Sequence, residues 1–172
     1  MALDSLYELL MEELKDMYHA ENQLLSALPK MARAAGTAGL RKMFENHLLR
    51  TEDQVCRLEQ VFAELGVAPR GKRCKPLEGM LESGSDLLKY GGKRSVIDAA
   101  LVSMARRIAH YEIAAYSSLV GFAERLGEEQ VAAVLRLSLE EDTAANDTLA
   151  RLAEDEVNGM AVAAGVAEDT DS

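Results

Sequence analysis

What most constrains the fold of this chain is the unequal spacing of its helix breaks. Gly36 and Gly127 each interrupt a long amphipathic pattern for only a few residues, whereas the break that begins at Gly66 and Pro69 closes only at Gly91–Gly92. Leu6, Leu10, Leu14, Met17, Leu24, Leu25 and Leu28 recur at i, i+3 and i+4 and predict one helix over residues 3–34. Asp4 or Ser5 can cap its start, and Pro29 is expected to kink its last turns. Thr37 can cap a second helix, from about 38 to 65, with Leu40, Phe44, His47, Leu48, Thr51, Val55, Leu58 and Phe62 on one face. A third starts at Ser95 and uses Ile97, Leu101, Met104, Ile108, Ala115, Leu119 and Phe122; a fourth follows from about 128 to 158.

The two short links make the first and second helices antiparallel, and likewise the third and fourth. A helix of about 28 residues is about 42 Å long, a distance that the segment 66–94, with a short helix near 76–89, can cross. One long crossover between two helical hairpins predicts an all-α, ferritin-like four-helix bundle with a short extra helix in the crossover. Residues 1–160 form the bundle in this reading, and residues 161–172, ending GVAEDTDS, an acidic flexible tail.

Composition excludes several functions. A formal net charge of −10 argues against binding nucleic acid, whose phosphates call for Lys and Arg. No apolar run is long enough for a membrane span, and MALDSLYELL carries no basic leader region, so a cytoplasmic protein is expected. Cys56 and Cys74 have no CxxC partner and read as free thiols of a reducing compartment. The eight Met are core filler.

Against this background the inward acids stand out. Glu21, Glu112 and the pair Glu141–Asp142 each lie roughly 14–15 residues from the nearest turn, so they reach similar depths in their helices. Glu21 falls near the middle of its stripe, between Met17 and Leu24; Glu112 lies about 50° from the centre of its own, and Glu141 and Asp142 flank theirs. Glu140 points nearly opposite and reads as solvated, as do His19 and His110. His47 lies inward with Gln54 two turns later, and Glu52 sits on the other edge of that stripe, able to swing in. Carboxylates converging in a bundle are costly unless they bind a cation or share protons. The structural alternative is a buried pair of Glu21 with Arg50 and a hydrogen-bonded core histidine at His47. No Glu-x-x-His occurs, so a di-iron site of the usual type is absent; a carboxylate-rich, histidine-poor site suits iron or manganese.

Five stretches together resemble the YciE/YciF family of bacterial ferritin-like, stress-associated proteins. They are DMYHAENQLLSALPKMA (16–32), HLLRTEDQVCRLEQVF (47–62), CKPLEGM (74–80), DAALVSMARRIAHYEIAAY (98–116) and LEEDTAANDTLARLAE (139–154). The resemblance implies a ferritin-like bundle that forms homodimers and carries a dinuclear metal site. Glu21, His47, Gln54, His110, Glu112 and Glu141 match the family's central layer by position, whereas Arg50, Ala109 and Asn146 stand where the family usually has acids. Two functions follow: a stress-associated protein with a metal site drawn from Glu21, His47, Glu52, Glu112, Glu141 and Asp142, or a structural bundle whose inner acids form a polar network with Arg50 and bind no metal. The first leaves room for redox activity toward oxygen or peroxide, and no nucleophile–base pair suggests a hydrolase. Dimerisation rests on the resemblance and on aromatic residues expected at the surface, such as Tyr116.

Overall fold

The computed structural model describes residues 3–169, and all its regular elements are helical. Helix α1 (Leu6–Ala34) opens on a capping box: Ser5 Oγ accepts from the Glu8 N–H, while the Glu8 carboxylate accepts from the Ser5 N–H. This satisfies amides that a helix start leaves free. Helix α2 (Ala38–Glu64) begins under Thr37, whose Oγ1 accepts from the Leu40 N–H at 3.2 Å. Helix α4 (Arg94–Leu126) stops at Gly127, whose φ of 77° is the left-handed turn that glycine adopts without strain, and α5 (Glu129–Leu152) follows at once.

Four long helices pack as a closed ring of neighbours: α1 on α2, α1 on α4, α4 on α5 and α2 on α5. Their apolar stripes meet in one core, with Leu10, Leu14, Leu24 and Leu28 of α1 against Phe44 and Phe62 of α2, Leu101 and Ile108 of α4, and Leu135 of α5.

Helix α3 (Lys75–Lys89) lies in the crossover between α2 and α4. The crossover is strapped to α1 before α3 begins: the Lys72 N–H donates to the Lys15 carbonyl at 2.9 Å and the Cys74 N–H to His19 Nδ1 at 3.2 Å. Cys74 Sγ lies 3.0 Å from Tyr111 Oη, which donates to Asp16 at 2.8 Å. At the opposite end the Gly36 N–H donates to Asp98 Oδ1 at 2.6 Å, joining the α1–α2 turn to the start of α4. The end of α2 and the start of α4 therefore lie at opposite ends of the molecule, and α2 and α4 run parallel.

Two expectations need correction. His19 is half-buried rather than solvated, because its imidazole accepts the Cys74 amide at the start of α3. The chain also stays helical past 160: after α5 come one π-turn, Ala153–Val157, and α6 (Asn158–Asp169). AVAAG supplies enough helix-forming alanine to carry the backbone through the segment expected to be a tail. The last three residues of that expected tail, 170–172, lie outside the described residues.

Candidate functional site

At mid-height the apolar core gives way to a polar layer. Glu21 of α1, Thr51 and Gln54 of α2, Glu112 of α4 and Asp142 of α5 are at most 2% exposed, and His47 is 5% exposed. Each occupies the middle stretch of a long helix, on the side that faces the other helices.

Hydrogen bonds fix one side of the layer. Tyr116 Oη donates to Glu21 Oε1 at 2.7 Å, and Gln54 Nε2 donates to Asp142 Oδ1 at 2.8 Å. His47 Nε2 stands 3.8 Å from Glu112 Oε2, close enough for Coulomb attraction and too long for a hydrogen bond. The other side is bare: Glu21 Oε2, both oxygens of Glu112 and Asp142 Oδ2 are buried without a hydrogen-bond partner, as are Thr51 Oγ1 and Gln54 Oε1.

Electrostatics follow from that crowding. Burial, and then the charges of Glu112 and Asp142, push the Glu21 carboxyl well above the usual carboxylate range, against the smaller opposing effect of the Tyr116 hydroxyl. Burial and the Glu112 charge raise Asp142 to about 8, with the Gln54 hydrogen bond and Arg50 pulling the other way. Near neutral pH, Asp142 thus holds a proton unless a cation replaces it. Tyr116 is likewise raised above its ordinary value, first by burial and then by Glu21, and stays a neutral donor.

Of the six residues expected to hold metal, four meet in this layer: Glu21, His47, Glu112 and Asp142. Glu141 is held at its margin, where both oxygens are taken by Arg57, Nη1 to Oε2 at 2.7 Å and Nη2 to Oε1 at 2.6 Å. Glu52 is exposed: it shares the solvent side of α2 with Asp53 and Cys56, while Thr51, Gln54 and Val55 face inward. His110, matched to the central layer by resemblance, is exposed on α4, and Glu140 is solvated as its helical angle requires.

The pairing of Glu21 with Arg50 does not form, since Glu21 takes its hydrogen bond from Tyr116 and Arg50 Nε is buried without a partner. Tyr116 itself, expected at the surface, is fully buried; it lies one turn beyond Glu112 and one before Leu119, so it belongs to the same inward stripe. Its role as donor to Glu21, and that of Arg57 as clamp on Glu141, were missed. Both would have followed from extending the stripes to residues with polar tips.

The donors fit a hard cation. Buried carboxylate oxygens without hydrogens to accept, beside one imidazole and the Gln54 amide oxygen, match the preference of manganese and iron for oxygen-rich sets. Among the described residues, no group of three His, Cys, Asp or Glu is already drawn together around a single metal position, so a cation held here would require these side chains to converge further.

Comparison with known proteins agrees with the fold. Residues 5–162 match the family described as a domain of unknown function, DUF892. Protein YciF of Escherichia coli (strain K12) is 36% identical over 162 residues, covering 94% of this chain and 98% of YciF. The crystal structure of the E. coli stress protein YciF superposes with a TM-score of 0.87 at 35% identity, over 91% of this chain and 99% of that one. YcfI from Rhodopseudomonas palustris gives 0.84 at 36% identity, over 87% and 96% respectively.

Proposed function

The chain belongs to the DUF892 family of YciF-like proteins, and from that premise we propose that it is a ferritin-like four-helix bundle of the stress response whose acid layer exchanges protons for one hard cation, iron or manganese. The observation that carries this reading is the set of four buried carboxylate oxygens, on Glu21, Glu112 and Asp142, that accept no hydrogen bond. Such atoms are stable only with a proton or a cation beside them. Glu112, with both oxygens free, is the central ligand; Asp142 and Glu21 each offer one oxygen, and His47 offers Nε2. Tyr116 and Gln54 hold the remaining carboxylate oxygens and aim the free ones, the supporting role that outer hydrogen bonds play at metal sites. Bound iron or manganese supplies one-electron redox chemistry. Because Asp142 titrates near 8 without metal, uptake displaces protons and weakens on acidification. Homodimerisation in the cytoplasm belongs to the same proposal and rests on resemblance.

Metal analysis of protein purified without chelator or affinity tag tests the reading. About one equivalent of iron or manganese per chain is expected, lost in Glu112→Gln and Glu21→Gln, retained in Glu140→Ala, and increased in Arg50→Glu, which removes a cation from beside Asp142. A protein that holds no metal with either residue at position 50 favours a second reading, a structural bundle. The observation on its side is the ready-made polar stitching of Gln54 to Asp142 and Arg57 to Glu141, which needs no metal.

A further inference from the structure

Away from the acid layer, α4 presents a basic strip on an otherwise acidic protein. Ser103, Arg106, Arg107 and His110, related by steps of three and four residues with the two arginines adjacent, line a groove of ≈ 600 Å³ whose far wall carries Ala153 and Asn158. No carboxylate lines this groove among the described residues, in a chain whose net charge is −10.

The π-turn explains how the acids are kept out. Glu154, Asp155 and Glu156 all sit within it, yet all three are exposed. The Asn158 N–H bonds to the Ala153 carbonyl, an i→i+5 closure. That closure sets Asn158 on the groove wall with Ala153, where an ordinary helical turn would bring Glu156 or Val157 below Ala153. An amide, and no carboxylate of the turn, therefore stands opposite the arginines. π-turns recur at functional sites for this kind of local re-aiming.

The arginines are also short of partners. Arg106 Nε is buried and makes no hydrogen bond. Among the described residues no carboxylate pairs with Arg106, Arg107 or His110; the one side-chain hydrogen bond runs from Arg107 Nη2 to Ser103 Oγ at 3.5 Å. A buried guanidinium edge without an acceptor is costly, and a tetrahedral oxoanion is the acceptor that a pair of guanidinium forks fits best.

We propose that this groove is a phosphate-binding site for inorganic phosphate or a small phosphomonoester. Arg106 and Arg107 take the anionic oxygens, Ser103 and Asn158 donate from opposite walls, and His110 borders the open end. The groove volume lies within the range of small-molecule sites and leaves room for the group that carries the phosphate. The site is independent of the acid layer and of any metal.

Calorimetric titration of the full-length protein at constant ionic strength, with inorganic phosphate and separately with glycerol 3-phosphate, tests the proposal. Saturable one-to-one binding is expected. It should weaken about tenfold in Arg106→Gln and in Arg107→Gln, as loss of one charge-assisted bond implies, disappear in Asn158→Glu, and persist in Arg136→Gln, a surface arginine of α5 paired with Glu124. Tighter binding of the ester assigns the site to phosphomonoesters; equal binding assigns it to phosphate itself. Where Arg106→Gln loses its helical circular dichroism, Arg107→Gln and Asn158→Glu decide. The proposal is overturned by absence of saturable binding, by affinity that the groove substitutions leave unchanged, or by phosphate-independent dissociation of an oligomer in Arg107→Gln, which would make the strip a contact between copies.

Discussion

Tyr116 shows how much a single hydroxyl can govern. Its ring is fully buried and its Oη is, among the described residues, the one donor to Glu21, at 2.7 Å. Tyr116→Phe keeps the ring and strands a second oxygen of a buried carboxyl, a loss of about 1–3 kcal/mol, measurable as a lower urea midpoint with an unchanged slope. The carboxyl should also give up its proton less readily, because the hydroxyl favours the charged form. Most of this polar layer is legible from residue spacing alone. Glu21 and Glu112 sit where helical angles put them, and Glu140 points away as it should. The angles fail at the edges of stripes. Glu52 and Glu141 both lie there, and which of them turns inward depends on the neighbouring helix: Arg57 claims Glu141, and nothing inside claims Glu52. Tyr116 eludes this reading for a different reason, that its polar tip suggests surface while its register says core.

Among the elements, α3 offers the sharpest contrast, because its two central glycines stand in unlike surroundings. A Cβ at Gly84 would come within 1.5 Å of Met104 Sδ and 2.8 Å of Met104 Cε, whereas one at Gly79 meets nothing within 4 Å. Gly84→Ala should therefore force Met104 out of its packed position and cost about 1–3 kcal/mol. Gly79→Ala should stabilise the protein by about 0.5–1 kcal/mol through helix propensity alone. Thermal denaturation of the two variants, compared with the parent, gives shifts of opposite sign if α3 is docked on α4 as described. The long helices were legible because apolar spacing and Gly36, Gly66 and Gly127 agree on where each one starts and stops. The π-turn was not: AEDEVNG contains no residue that distinguishes an i→i+5 closure from an ordinary turn, and the choice is made by packing against α4.

For the molecule as a whole, the buried acids set an unusual dependence on pH. With no cation in the layer, Asp142 is raised from 3.8 to about 8 and Glu21 is raised well above 4.5. The folded state thus binds these protons more tightly than the unfolded chain. Stability from them is complete below about pH 4 and is lost as the pH rises toward about 8, the reverse of the trend for paired surface carboxylates. Exposed pairs such as Glu12 with Lys15 and Lys72, which lower Glu12 to about 2, act in the opposite sense only below about pH 4.5. Urea denaturation of the metal-free protein should give a stability lower at about pH 8 than at about pH 5 by at least about 1 kcal/mol. Asp142→Asn should flatten that slope; an unchanged slope would mean the layer admits water.

The crosswise placement of the polar pairs has a mechanical consequence. Glu21–Tyr116 joins α1 to α4, while Gln54–Asp142 and Arg57–Glu141 join α2 to α5, so all three pairs span the seam between the two hairpins. Leucine stripes slide past one another at small cost, since one methyl group replaces another. Hydrogen-bonded pairs do not: a slip of one helical turn, about 5.4 Å, would break all three together and leave buried polar groups without partners. The layer thus works as a detent, a notch in which the two halves of the molecule lock at a single offset along their shared axis.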